Sequence, residues 1–471
     1  MSDEQESMDL FGDMHPYNKL FMKCDSLPEK GRDEAEILKE ITFMSEEENK
    51  KWQTGQCSGT MYHGGMEHYA FLNKVFSMYS SINLLQRDLC PSGTKFEAEV
   101  LAMVAKMLHA EEVSKINPSD YVAGAITSGG SESIYNAMFV YREWGRDQKG
   151  ITEPEVIAPT SIHPAHLKAA HYLGMKVIRV PVNADFEADV EAMRAQITPN
   201  TVALAATAGT YPNGVVDPIS KLSALALEHK IGLHVDGCLG GFILPWIEKL
   251  GYEVPVFDFR LPGVTSISCD THKYGYSLKG TSTVNFRNKD LRRYMYFAQE
   301  DWSGGIYASP TIQGSRSAGL SAAMWAAMVS MGEDGYLTAA KAIMDTADKI
   351  REGIAKIPEL RIMGKTTFLI SMTSDVVDPY FINDYLDKKG WRMNGCQNPP
   401  GFHFCITLPQ TQPGIAERFV KDLADGVNFA KDPPYEVPRS GFLYGMGATA
   451  DGREILRQGM KGWIDASYEF E

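Results

Sequence analysis

TVALAATAGTYPNGVVDPISKLSALALEHKIGLHVDG, residues 201–237, contains two short apolar runs, TVALAATAG and IGLHVDG, separated by the helix-like DPISKLSALALEHK. The alternation continues upstream. AGAIT (123–127), PEVIAPT (154–160) and MKVIRVPV (175–182) read as strands, and HPAHLKAAHYLG (163–174) reads as a helix. Before AGAIT, the positions Phe96, Val100, Val104 and Leu108 follow helical spacing. Short apolar strands alternating with helices predict an α/β architecture, a mostly parallel sheet covered on both faces.

Beyond Gly332 the pattern loosens. A helix-like YLTAAKAIMDTADKIREGIAKI (336–357) precedes candidate strands near RIMG (361–364), FLISMT (368–373) and HFCITLP (403–409). This predicts a smaller α+β C-terminal domain. The chain up to Thr60 is charge-rich (EKGRDEAEILKE, SEEENKKW) and reads as an arm with one or two solvated helices. The expected units are an arm at 1–60, a large domain at 61–332 and a small domain at 333–471.

With 60 acidic and 46 basic residues the net charge is −14, and no basic block forms a track for a nucleic-acid backbone. An anionic small substrate stays open, since a few cations focused in a cleft can oppose the charge of the whole surface. The seven cysteines are scattered without a CxxC pair, which favours a reducing cytoplasm over a disulfide scaffold. The acidic MSDEQESMDLFGD start lacks the features of a signal peptide, and the apolar run Leu320–Met331 is too short to span a bilayer. A soluble cytoplasmic protein without an integral membrane segment is expected.

SISCDTHKYG (266–275) places Lys273 after a strand-like run, where desolvation would lower its pKa and ready the amine for a Schiff base. Asp236 ends an apolar strand and could pair with a protonated ring nitrogen. TSGGSES (127–133) sets glycines and hydroxyls before a helix, a natural phosphate cradle without the GK[ST] ending of a nucleotide loop or GxGxxG spacing. His163 lies past another strand end, where its ring could stack on a flat cofactor; with His166 and His171 it does not form a zinc pattern. Taken singly, these also read as a surface lysine, a turn or capping aspartate, a capped glycine turn and ordinary helix histidines.

From about Ser58 to about Pro409 the chain resembles the sphingosine-1-phosphate lyases, within the pyridoxal-phosphate-dependent group II decarboxylases. CDTHKYGYSLKG, LHVDGCLGGF, DWSGGIYASPTIQGSRSAG, TSGGSESI, AAHYLGMKVIRVPV and HFCITLP carry the resemblance. It implies the fold type I of pyridoxal-phosphate enzymes, similar to aspartate aminotransferase, and pyridoxal 5'-phosphate as cofactor. Lys273 would hold the cofactor as a Schiff base, His163 would stack on the ring and Asp236 would pair with the ring nitrogen. Ser128, Gly129, Gly130, Ser131 and His272 would hold its phosphate and Thr207 would lie beside it. Gly314 and Ser315 would reach in from a second subunit of a homodimer.

The resemblance further implies that Tyr62 and Lys279 bind the phosphate of a phosphorylated amino-alcohol, with Tyr211 beside the reacting carbon. The expected reaction is retro-aldol cleavage of sphingosine 1-phosphate to a long-chain aldehyde and phosphoethanolamine. One position departs from the family. Where it has Asn-Pro-Leu-His-Pro-Asp, this chain reads NLLQRDLCPS, so Gln86 replaces the phosphate-facing histidine and, with Tyr62 and Lys279, would clamp the substrate phosphate through a hydrogen bond without charge. The competing readings are an L-amino-acid decarboxylase, for which Arg316 or Arg87 would hold a carboxylate, and a catalytically silent binding dimer.

Overall fold

The segments that alternate between residues 123 and 237 form five strands of a seven-stranded sheet. They are β1 (Ala123–Thr127), β2 (Glu155–Pro159), β3 (Lys176–Val180), β4 (Thr201–Thr207) and β5 (Gly232–Asp236), followed by β6 (Ser266–Cys269) and β7 (Ser282–Phe286). The computed structural model describes residues 14–441 and 450–469. The outer end of the expected arm and parts of the expected small domain, 442–449 and 470–471, lie outside the described residues.

Strand order is β1-β7-β6-β5-β4-β2-β3, and β7 alone runs antiparallel to its neighbours. Alternate β4 side chains enter two cores on opposite faces, Leu204 and Ala206 in one and Ala203 and Ala205 in the other. Burial on both faces explains why this strand is apolar at nearly every position. Connecting helices Gly130–Lys149, Ala165–Leu173 and Ile219–His229 cover the sheet.

The run Leu320–Met331 lies in a long helix, Ala318–Ile354, interrupted by Gly332 at φ 61° and ψ 178°. Gly332 is the last residue of the expected large domain. Beyond it, β10 (Arg361–Ile362), β11 (Leu369–Thr373), β12 (Asn394–Cys396) and β13 (Gly401–Cys405) form an antiparallel sheet of order β10-β11-β13-β12. Among the described residues no helix is long and apolar enough to cross a membrane.

The arm contains the helix Glu34–Gln53, capped by Asp33 and without a buried residue. Its end then lies along the small sheet. Ser58 Oγ donates to the His403 carbonyl (3.1 Å) and accepts from Cys405 N (2.9 Å), which delivers Tyr62 to the centre of the molecule. A hairpin of β8 (Phe297–Trp302) and β9 (Gly305–Ser309), not predicted from sequence, exposes Phe297, Trp302 and Ile306.

Candidate active site

The carboxyl ends of the parallel strands bring the candidate residues together, where open α/β sheets bind ligands. β4 ends on Thr207 and β5 on Asp236, opposite each other in register. β1 ends on Thr127 before the glycine turn, His163 follows β2, and Asp270 to Lys273 follow β6.

Lys273 Nζ lies 3.0 Å from Asp270 Oδ2. Burial opposes its charge, but Asp270, Cys238 and Asp236 outweigh that effect and raise its pKa above the ordinary lysine value. The lowering expected from sequence is therefore corrected for the cofactor-free chain. Asp270 was missed, although an acid three residues before the lysine in CDTHK is a spacing that a single turn brings into contact.

Asp236 is 3% exposed. Its Oδ1 accepts from Cys238 N (3.0 Å) and Ser268 Oγ (3.4 Å), and Oδ2 lies 4.0 Å from His166 Nδ1. Burial disfavours the carboxylate, yet His166, His163 and His234 outweigh that and bring its pKa to about 2. His166, which by sequence alone reads as an ordinary helix histidine, is wholly buried and donates through Nδ1 to the His163 carbonyl (3.2 Å). The His163 ring, open to solvent on one side, is fixed by Ala165 N, which donates to its Nδ1 (3.1 Å), and desolvation by the surrounding cleft lowers its pKa.

The glycine turn leads into the helix Gly130–Lys149, with Gly129 at its N-cap. A Cβ on Gly130 would lie 2.8 and 2.9 Å from the two Asp270 oxygens and 2.9 Å from Cys238 Sγ, so a larger residue would have to displace the Asp270 carboxylate and the Cys238 thiol. Thr127 Oγ1 bonds Ser133 Oγ (2.6 Å), which bonds Ser282 Oγ (2.9 Å), while the exposed Ser128 and Ser131 flank the turn. The His272 ring is oriented by donation from Nδ1 to the Thr281 carbonyl, and burial lowers its pKa.

Pyridoxal phosphate fits this donor set. Thr207 Oγ1 and Asp270 Oδ1 are buried without hydrogen-bond partners among the described residues, beside an ionised Asp236, an amine and a helix N-terminus. Such orphaned groups are costly unless a ligand satisfies them.

Tyr62 is buried, with its OH 3.9 Å from Cys405 Sγ and its ring at a centroid distance of 5.0 Å from Tyr274. Lys279 Nζ lies 5.0 Å above the Tyr62 ring and donates to the carbonyls of Thr60 (3.2 Å) and His272 (3.3 Å). Lys279 keeps an exposed edge, but desolvation in the cleft and repulsion by Lys273 lower its pKa to about 8. Tyr211 is half exposed, edge-on to His163 at 6.4 Å and to His403 at 4.9 Å.

Gln86 and Gly314–Ser315 lie on two loops that hydrogen-bond to each other. Asn83 Nδ2 donates to Ser315 Oγ (2.9 Å) and Leu84 N to the Arg316 carbonyl (2.9 Å), joining the two loops to each other rather than to the Lys273 turn. Behind them, the buried Glu97 binds Arg316 (2.7 Å) and Arg87 (2.9 Å). The cations that the decarboxylase reading requires are thus engaged by a carboxylate. Glu97 and Arg316 lie far apart in sequence, and no local signal links them.

Residues 16–370 match the family described as the pyridoxal-dependent decarboxylase conserved domain. A sphingosine-1-phosphate lyase of Dictyostelium discoideum is 41% identical, over 93% of this chain and 81% of the relative. The solved sphingosine-1-phosphate lyase of Burkholderia pseudomallei is 49% identical with a TM-score of 0.87, covering 88% of this chain and 95% of that one. A glutamate decarboxylase from Lactobacillus brevis, 19% identical with a TM-score of 0.74 over 91% of this chain and 99% of that one, shares the fold.

Proposed function

Because the chain belongs to the pyridoxal-dependent decarboxylase family, among the sphingosine-1-phosphate lyases, we propose that it cleaves the C2–C3 bond of sphingosine 1-phosphate, giving a long-chain aldehyde and phosphoethanolamine. One observation carries the choice of substrate. Lys279 and Tyr62 present a cation and a phenol beside the Lys273 turn, whereas Arg87 and Arg316 are bound to Glu97.

Bound pyridoxal phosphate supplies an electron-accepting ring. Lys273 anchors it, Asp236 keeps a proton on the ring nitrogen, His163 covers one face and Thr207 borders the ring. The turn Ser128–Ser131 and His272 receive its phosphate at a helix N-terminus. Tyr62 and Lys279 clamp the substrate phosphate, which orients the bond that breaks. Tyr211 and the Lys273 amine take the proton from the C3 hydroxyl and return one to C2.

We assign Gly314, Ser315 and Gln86 to the neighbouring site of a homodimer. Their joined loops and the exposed apolar hairpin support that reading. Cytoplasmic location is supported by six buried free thiols.

Purified holoenzyme incubated with sphingosine 1-phosphate should release aldehyde and phosphoethanolamine in equal amounts. Carbon dioxide from amino acids without aldehyde would transfer the assignment to a decarboxylase. Affinity should also depend on pH. As pH rises through about 8, Lys279 loses its proton, so KM for the phosphorylated substrate should climb on the alkaline side. Lys279→Met should show a high KM that no longer follows this titration, measured between pH 6.5 and 9.5.

A further inference from the structure

We propose that His403, on β13 of the small sheet, is a positioning residue for Tyr211. The inference rests on the reading that Tyr211 acts at the reacting carbon. Tyr211 belongs to a turn closed by hydrogen bonds from Thr210 N to the Val215 carbonyl (2.8 Å) and from Gly214 N to the Thr210 carbonyl (2.7 Å). The turn therefore moves as a unit, and what holds it determines where the phenol sits.

The small sheet contacts it at four consecutive residues. A Cβ on Gly214 would lie 2.7 Å from the Leu369 carbonyl, so the backbones touch there. Ser371 Oγ donates to the Asn213 carbonyl (3.5 Å), Cys396 Sγ donates to the Pro212 carbonyl (3.4 Å), and the His403 ring meets Tyr211 at 4.9 Å and 87°. His403 pairs with Ser371 on one side and Asn394 on the other, so its backbone is fixed within the sheet.

His403 is wholly buried, and Nδ1 lies 3.7 Å from Cys396 Sγ. Its Nε2 has no hydrogen-bond partner among the described residues. The ring also donates to the Pro212 carbonyl, a second tie to the turn that carries Tyr211. Burial lowers its pKa to about 4, so near neutral pH the ring adds shape and polarity beside the phenol without charge. The perpendicular ring geometry is a favourable one for two aromatic rings and fixes the orientation of the tyrosine.

The test is a double-mutant cycle on the holoenzyme with His403→Leu and Tyr211→Phe. Each single variant should lower kcat by roughly 10- to 100-fold with little change in KM or in the visible absorption of the lysine-bound cofactor, and the double variant should be no slower than Tyr211→Phe alone. His403→Gln should recover part of the rate. A His403→Leu loss that recurs in full on the Tyr211→Phe background, or an unchanged kcat, would overturn the proposal. A Tyr211→Phe enzyme at the wild-type rate would instead remove the reading of Tyr211 itself. If near-ultraviolet circular dichroism shows that His403→Leu is unfolded, Cys396→Ala carries the same cycle with the same two outcomes.

Discussion

Lys273→Ala is expected to lose the visible absorption of lysine-bound cofactor and about 10³-fold or more in kcat, because both the covalent anchor and one proton carrier disappear. The same change should weaken the fold. Asp270 is 2% exposed, and its Oδ2 has the Lys273 ammonium at 3.0 Å. Removing one member of a largely buried ion pair leaves a charge without compensation, typically at a cost of about 3 kcal/mol. Lys273→Ala should therefore melt at a lower temperature than the cofactor-free wild type, and adding Asp270→Asn should restore much of the melting temperature but none of the turnover. Substantial cleavage by Lys273→Ala, measured as aldehyde released over hours, would contradict the assigned role of the lysine. Equal melting temperatures would show that Asp270 finds other partners.

The strand tips were legible because a strand buried on both faces is apolar throughout, and β4 and β5 end where polar Thr207 and Asp236 begin the site. The antiparallel β7 was not. Its Ser282, Thr283 and Asn285 are wholly buried, and all three hydrogen-bond to carbonyls on β6. Such a strand lacks the apolar signal that marks its neighbours. The lysine, the acid and the glycine turn were recognisable by residue type, whereas the residues that adjust them were not. Asp270 reverses the expected effect of burial on Lys273, and His166 and His163 approach Asp236 from beyond its own strand. His403 meets Tyr211 only because two sheets from distant parts of the chain face each other. Pairings of this kind arise from tertiary contacts, which spacing along one sequence does not encode.

Asp236→Asn should be the second severe loss, at least about 10²-fold in kcat, comparable to removal of one preorganised electrostatic group. The carboxylate is isosteric with the amide, so Cys238 N and Ser268 Oγ keep an oxygen to bond, and the fold should survive. What changes is charge. An amide cannot keep a proton on the ring nitrogen, and the cofactor should bind more weakly, as measured by an absorbance titration. Acid should discriminate the two proteins. The folded-state pKa of Asp236 is depressed to about 2 from 3.8; the stability it contributes is present above pH 3.8 and fades as pH falls through that interval toward 2. The cofactor-free wild type should lose that increment in an acid titration, and Asp236→Asn should not. If both proteins follow the same acid profile, His166, His163 and His234 do not sustain the buried charge.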